Sequence, residues 1–177
     1  MGYFGSPGIS AALLAALLED DRHEIAFVVS NPDKARGRSG KLQPTDVSQL
    51  AQQHGLPLYR PEKLKDPDLV DTFAAHNAEL FVVFAYGRLL PESIFAQPPL
   101  RTINLHASIL PLLRGASPIQ SAILEGFTQT GWSVQYIEKG MDTGDVLATE
   151  PLAIDPAESA GELAERMLPV GIELMRR

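Results

Sequence analysis

Two side chains that could do chemistry, Asn104 and His106, stand two residues apart at the end of an apolar segment, residues 101–106. Residues i and i+2 of a β-strand project from the same face, so the amide and the imidazole are predicted to point together. Burying either group without a partner costs about 1–3 kcal/mol, which makes the pair a poor core and a good polar site. Open α/β sheets bind ligands at the carboxyl ends of their strands, where His106 lies. A hydrogen-bonded strand end without a catalytic role is the alternative that the pair alone leaves open.

A carboxylate is the third candidate, because Asp142 lies in a glycine-containing segment, residues 138–145. The flanking segments 133–137 and 146–154 are predicted to pair as an antiparallel hairpin, which would place Asp142 in the connecting loop. An aspartate in such a loop is more often a turn residue than a catalyst. Asp142 by itself therefore indicates no reaction.

The other three histidines have a simpler interpretation. His23, His54 and His76 each lie near the end of a predicted helix, where a cation interacts favourably with the helix dipole. We expect them to be solvated end residues. His106 is therefore the histidine on which a site is predicted.

The composition limits the classes of protein to which the chain can belong. Its 177 residues fit one domain, and with 45% hydrophobic and 21% charged residues it is expected to be globular and cytoplasmic. A formal net charge of -7 argues against non-specific coating of nucleic acid, since that requires a surplus of Lys and Arg. The lack of cysteine excludes disulfides, thiolate metal ligands and a cysteine nucleophile. Residues 1–18 are uncharged, but Gly5-Ser6-Pro7-Gly8 interrupts them, and no membrane segment is predicted.

The candidate residues must be positioned by an alternation of strands and helices. Strands alternating with helices predict an α/β domain with a mostly parallel, twisted sheet, helices on both faces and an antiparallel edge hairpin. The cation-containing segment 31–44 is predicted to be a loop, and Pro169 and Gly171 are predicted to bend or break the last helix. The predicted strands are 2–5, 25–30, 56–59, 80–85, 101–106, 133–137 and 146–154, and the predicted helices are 9–18, 45–54, 66–76, 117–124 and 159–177.

Several motifs together resemble the folate-dependent formyltransferase family, whose catalytic domain is Rossmann-like. The resemblance implies that Asn104, His106 and Asp142 are catalytic, and that the formyl donor is 10-formyltetrahydrofolate with no metal. It implies that Asn104 stabilises the oxyanion, that His106 binds the same oxygen and moves a proton, and that Asp142 accepts a proton from the attacking amine. The motifs are Asn104-x-His106, Ser108-Ile109-Leu110-Pro111, Arg114-Gly115 and Asp142-Thr143-Gly144, with Phe4-Gly5-Ser6-Pro7, Asn31-Pro32-Asp33, Pro61-Glu62-Lys63-Leu64 and Ala85-Tyr86-Gly87-Arg88-Leu89-Leu90-Pro91.

The same resemblance implies where the folate donor binds. The pterin ring is expected beside the segment 86–90 and the loop before Asp142, and the segment 108–111 is expected to line the folate path. The Leu110-Pro111 bond is a candidate cis peptide, because a cis bond fixes an unusual turn beside the strand. The implied donor-binding residues are Tyr86, Arg88, Leu89, Leu90, Ser108, Ile109, Leu110, Pro111 and Met141.

The implied acceptor is the amino group of initiator methionyl-tRNA. The cations of the loop 33–44 are expected to meet phosphates of the acceptor arm, even on an acidic protein. An amino-sugar nucleotide is the alternative acceptor, and a catalytically silent folate-binding fragment is the alternative to an enzyme. Residues 1–177 are expected to be a monomeric catalytic domain without the C-terminal β-barrel that helps such enzymes bind tRNA. The implied acceptor-binding residues are Ser6, Arg36, Arg38, Lys41 and Arg114.

Overall fold

A computed structural model describes residues 1–35 and 40–177. The predicted tRNA contacts Arg36 and Arg38 lie outside the described residues. The chain divides into two compact units, residues 1–102 and residues 103–177. Among the described residues, no helix has both the length and the apolar character that a bilayer crossing requires.

The first unit contains a parallel sheet. The strand Gly2–Gly5 lies between Phe27–Val29 and Phe81–Phe84, and Phe27–Val29 also pairs with Leu58–Tyr59, in each case in parallel. In chain order the strands of the first unit are β1 (Gly2–Gly5), β2 (Phe27–Val29), β3 (Lys34–Ala35), β4 (Leu42–Gln43), β5 (Leu58–Tyr59) and β6 (Phe81–Phe84), of which β3 and β4 form a separate pair. Its helices are α1 (Gly8–Leu18), α2 (Asp46–Gln53), α3 (Pro67–Ala74) and α4 (Glu92–Phe95).

Aromatic side chains form the core of this first unit. All residues of β1, β2 and β6 are buried, as expected for short apolar strands that are covered on both faces. The Phe27 and Phe73 rings are stacked with centroids 5.0 Å apart, and the Phe4 ring lies 5.3 Å from that of Phe81. The buried rings therefore join α3 to β1, β2 and β6.

Two features of the first unit differ from the sequence prediction. The predicted loop 31–44 contains a short antiparallel pair, with Lys34 opposite Gln43, and the one-turn helix α4 was not predicted. His76 is not a solvated end residue, because its Nε2 lies 2.7 Å from the Tyr59 hydroxyl and its ring lies 4.9 Å from that of Phe27. The aromatic core extends to this position, which helix periodicity alone does not show.

The second unit contains the predicted antiparallel hairpin and the strand that carries the candidate pair. In this unit β7 (Thr102–His106, whose first residue belongs to the first unit) pairs with β8 (Gln129–Tyr136), which pairs with β9 (Val146–Ala153). The strand β8 begins four residues before its predicted start at residue 133. The helices are α5 (Pro118–Leu124) and α6 (Ala160–Arg176). The predicted α/β class, with a parallel sheet and an antiparallel hairpin, is thus confirmed.

The helix α6 continues through Pro169, contrary to the prediction of a break. Packing on Trp132 explains the difference. The Trp132 indole donates a hydrogen bond to the Met167 carbonyl at 2.8 Å, and a Cβ at Gly171 would lie 2.6 Å from the indole ring. Contacts on both sides of the proline hold the helix together, while Ser159 caps its start.

Candidate active site

His106 ends β7, and its side chain is almost buried, at 7% exposure. Its Nε2 lies 3.0 Å from the Leu113 carbonyl oxygen, and since a carbonyl only accepts, Nε2 carries a proton. Its Nδ1 faces Asp142 Oδ1 at 3.7 Å, which is too long for a direct hydrogen bond but within ion-pair distance. The imidazole is thus fixed at one nitrogen and directed towards a carboxylate at the other.

Asp142 is held by one hydrogen bond at each carboxylate oxygen. Its Oδ2 accepts from the Gly115 amide, and its Oδ1 accepts from Gln135 Nε2, both at 2.8 Å. The side chain is only 14% exposed, and the backbone is left-handed with φ of 52°. Asp142 is thus more than a turn residue, because its carboxylate is oriented by two donors and faces His106.

Two glycines allow this loop geometry. Gly115 has φ of 106°, a conformation that side chains with a Cβ rarely adopt, and there its amide reaches Asp142. At Gly144 a Cβ would lie 2.0 Å from the Tyr136 carbonyl oxygen, so only glycine fits. A side chain at Gly115 or Gly144 would therefore strain or displace the backbone beside Asp142.

Asn104 lies on the same face of β7 as His106, as predicted, and is half-buried. In the register of β7 and β8 it stands directly opposite Gln135, while His106 stands opposite Ser133. Among the described residues its side-chain amide has no hydrogen-bond partner, so its N–H donors are free for a ligand. The structure therefore brings all three predicted catalytic side chains together in one unit.

A second set of hydrogen bonds folds the segment after His106 against β8. Ser133 Oγ donates to the Ser108 carbonyl at 2.7 Å and accepts from the Leu110 amide at 3.0 Å. Ser108 Oγ donates to the Leu112 carbonyl at 2.6 Å. The Leu110-Pro111 peptide is cis, which confirms that prediction.

Sequence reasoning missed two residues of this site, Ser133 and Gln135. Both are buried polar residues on one face of β8, where the surrounding sequence is apolar. Two polar residues at a spacing of two in an apolar strand are the same signal that identified Asn104 and His106. The same spacing in the predicted strand 133–137 therefore indicates both residues.

The other predicted donor contacts vary in exposure. In the second unit Ser108 and Leu110 are buried, Ile109 is half-buried, and Pro111 and Met141 are exposed. In the first unit Tyr86 and Leu90 are buried, whereas Leu89 is 72% exposed and therefore accessible to a ligand.

Arg88 and Tyr86 have contacts of their own within the first unit. The Arg88 guanidinium donates to the carbonyls of Pro61 and Glu62, at 2.7 and 2.8 Å. Burial raises the pKa of the Tyr86 phenol, and the positive charge of Arg88 partly opposes that shift. Arg88 therefore connects the segment 86–90 to residues 61 and 62.

The predicted acceptor contacts belong to both units of the chain. Ser6 Oγ accepts from Asn31 Nδ2 at 2.8 Å, and the same Nδ2 donates to the Tyr86 carbonyl at 2.6 Å, so Asn31 connects Ser6 with Tyr86. Lys41 in the first unit and Arg114 in the second are exposed.

Within residues 1–35 and 40–177, no group of three His, Asp or Glu residues is arranged to hold a metal ion.

Comparison with known proteins identifies the family of this chain. The family described as "Formyl transferase" matches residues 3–177. The chain belongs to the formyl transferase family. The match includes Asn104, His106 and Asp142, so every candidate catalytic residue lies within the family's domain.

Curated relatives of this formyl transferase domain are about 40% identical to it in sequence. A methionyl-tRNA formyltransferase from Leptospira interrogans serovar copenhageni is 43% identical over 175 residues, which is 98% of this chain and 56% of that protein. One from Methylobacterium sp. (strain 4-46) is 42% identical, over 99% of this chain and 56% of that protein. The chain spans about half the length of the curated relatives it matches.

Solved structures support the fold of this formyl transferase domain. A phosphoribosylglycinamide formyltransferase from Bacillus halodurans matches with a TM-score of 0.82 and 20% identity, over 98% of this chain and 89% of that one. A formyltetrahydrofolate deformylase from Pseudomonas syringae pv. tomato matches with a TM-score of 0.79 and 22% identity, over 99% of this chain and 58% of that one. At these identities the likeness extends to the fold alone.

Proposed function

We propose that this chain transfers a formyl group from 10-formyltetrahydrofolate to the amino group of initiator methionyl-tRNA. The observation that carries the proposal is the convergence of Asn104, His106 and Asp142, with the carboxylate held at both oxygens and the Asn104 amide free. Family membership supports the reaction class, and the curated relatives, named methionyl-tRNA formyltransferases, support this acceptor.

Asn104 would stabilise the charge that develops during transfer. The amine nitrogen bonds to the formyl carbon, and the carbonyl oxygen becomes an oxyanion in the tetrahedral intermediate. The N–H groups of Asn104 fit that oxygen, because an amide N–H directed at a developing oxyanion stabilises it. Loss of one such donor costs about 2.7–4 kcal/mol of barrier.

His106 and Asp142 would move the protons that the transfer requires. The attacking amine loses one proton, and the leaving folate nitrogen gains one when its bond to the formyl carbon breaks. Asp142 accepts the amine proton through water, and the His106 imidazolium gives its Nδ1 proton to the folate nitrogen, since Nε2 is engaged by the Leu113 carbonyl. The proton on Asp142 then passes to His106 Nδ1, 3.7 Å away, which restores both groups. General acid–base catalysis of this kind contributes about 10²–10⁴-fold.

The donor-binding residues remain part of the proposal. In the second unit the segment 108–111 would line the folate path, because Ser133 and the Ser108 hydroxyl fix its backbone. In the first unit the backbone of the segment 86–90 would contact the pterin. Two hydrogen bonds fix that segment, from Arg88 to the Pro61 carbonyl and from Asn31 to the Tyr86 carbonyl.

The acceptor proposal depends on the cations of the loop 33–44. Neutralising Arg36, Arg38 and Lys41 should raise KM for methionyl-tRNA. It should also reduce the slope of the logarithm of the tRNA binding constant against the logarithm of the salt concentration, by about 1 for each phosphate contact that is lost. Lys65→Gln, which removes an exposed cation elsewhere in the first unit, is the matched control. Unchanged tRNA kinetics in the neutralised variant would show that this loop does not hold the acceptor.

The experiment that tests the function follows tetrahydrofolate release from 10-formyltetrahydrofolate, with and without charged initiator tRNA. Release should require methionyl-tRNA and should be lost in Asn104→Ala and His106→Ala. His54→Ala, which replaces an exposed helix-end histidine, should behave like the unaltered chain. Donor binding without tRNA-dependent release would contradict the proposed acceptor, and amino-sugar nucleotides would then be the acceptors to assay.

A further inference from the structure

Gln135 on β8 is a buried amide of which only one end is satisfied. The residue is 1% exposed, and its Nε2 donates to Asp142 Oδ1 at 2.8 Å. Its Oε1 is shielded from solvent and has no hydrogen-bond partner among the residues that the structure describes. A buried acceptor without a donor carries a desolvation penalty, so its retention needs an explanation.

The missing donor has a candidate directly across the sheet. Asn104 stands opposite Gln135 in the antiparallel register, and residues in such a pair have Cβ atoms about 4.5–5.5 Å apart. Asn104 carries two N–H donors on one nitrogen, and the structure gives them no partner. The unpaired acceptor Oε1 of Gln135 is thus on the residue directly opposite the unpaired N–H donors of Asn104.

We infer that Gln135 is a positioning residue that couples Asp142 to Asn104 in the proposed formyl transfer. Its Nε2 fixes the carboxylate, and its Oε1 accepts one N–H of Asn104 when the formyl donor is bound. The second N–H of Asn104 is then directed at the formyl oxygen. This inference rests on the proposed function, and it identifies how an amide donor with a free rotation is held in place before reaction.

A merely structural role predicts a different pattern. If Gln135 only filled space, an apolar residue of similar size would be tolerated, because removing an unpaired buried acceptor is often neutral or stabilising. Activity and stability would then change together or not at all. Gln135→Met also removes the hydrogen bond to Asp142 and should lower the temperature of unfolding by a few degrees, whereas the coupling role predicts that activity falls in protein that is still fully folded at the assay temperature.

The test is Gln135→Met, compared with Thr130→Val on the same strand. Thr130 is also buried with an unpartnered hydroxyl, but it does not contact Asp142. Gln135→Met should lower kcat about tenfold with KM for 10-formyltetrahydrofolate changed less than about twofold, which lies within the couplings measured in single hydrogen-bond networks. Thr130→Val should keep kcat within about twofold.

A double-mutant cycle measures the coupling itself. In an Asn104→Ala background the loss caused by Gln135→Met should shrink from about tenfold to about twofold or less in single-turnover transfer, since the group that Oε1 positions is gone. An equal loss in both backgrounds would overturn the inference. So would a Gln135→Met enzyme as active as Thr130→Val.

A structure of the unaltered chain with 5-formyltetrahydrofolate, which does not transfer its formyl group, gives a readout without turnover. Asn104 Nδ2 should lie within about 3.2 Å of Gln135 Oε1. A bound complex in which the two atoms remain more than about 4 Å apart would overturn the inference and leave the proposed function standing. Failure of 5-formyltetrahydrofolate to bind would overturn the proposed function and the inference with it.

Discussion

The carboxylate of Asp142 offers the sharpest test of the proposed chemistry, through Asp142→Asn. The substitution removes one negative charge while it preserves size. The new amide can keep its oxygen on the Gly115 amide and turn its NH₂ towards Gln135, whose own amide then rotates to present Oε1. The loop should therefore keep its conformation, and the temperature of unfolding should change by only a few degrees.

The expected loss of activity follows from the distance between the two side chains. A unit charge 3.7 Å from a protonated His106 interacts with it by about 4–5 kcal/mol at an effective dielectric constant of 20. Loss of that interaction in the transition state alone corresponds to about 10³–10⁴ in rate, and loss of the general base adds to it, so we expect a loss of at least about 10³-fold. Single-turnover formyl transfer at saturating donor measures this step directly.

Asp145→Asn is the matched control for this prediction. It removes the same charge from the same loop, but its side chain is exposed and lies outside the network around His106. We expect Asp145→Asn to retain activity within about twofold. A folded Asp142→Asn protein within about threefold of the unaltered rate would refute the role assigned to the carboxylate.

Three further predictions concern the framework of the two units. Gly144→Ala should lower both thermal stability and kcat, because the new Cβ would meet the Tyr136 carbonyl at 2.0 Å and the backbone beside the catalytic loop must shift; an unfolding temperature equal to that of the unaltered chain would contradict this. Thr45→Ala should destabilise the first unit by about 1 kcal/mol through loss of the α2 cap, as measured by urea unfolding, and a stability unchanged within error would show that the cap is dispensable. Gly171→Ala should destabilise the second unit by about 1–3 kcal/mol, since its Cβ would lie 2.6 Å from Trp132, and a neutral result would mean that α6 moves away at little cost.

The spacing of polar residues predicted the shared position of two of the three candidate catalytic residues. Asn104 and His106 were assigned to one face of a strand by the period of two, and the structure places them there. Asp142 was different, because a loop position carries no periodic signal. Its role came from the family motif, and only the fold shows the two donors that orient it.

The fold was predictable where local signals and packing agree. The Thr45 cap, the Pro67 start of α3 and the apolar run of β6 all correspond to observed elements. The helix α6 was predicted to bend or break at Pro169 because the rule for proline is local, whereas the Trp132 contact that stabilises the helix comes from a distant strand. Tertiary contacts of this kind leave no trace in a single sequence.

Formyl transfer to an amine by means of Asn104, His106 and Asp142 is the activity that we propose for this domain. The most direct measurement incubates the chain with 10-formyltetrahydrofolate labelled in its formyl group and with charged initiator tRNA, and then analyses the methionine released from the tRNA. We expect labelled N-formylmethionine with the unaltered chain and with Asp145→Asn, and a loss of at least about a hundredfold in the rate for Asn104→Ala. Labelled product formed at the same rate by a folded Asn104→Ala protein would contradict it, and so would a complete lack of labelled product from a chain that binds the donor.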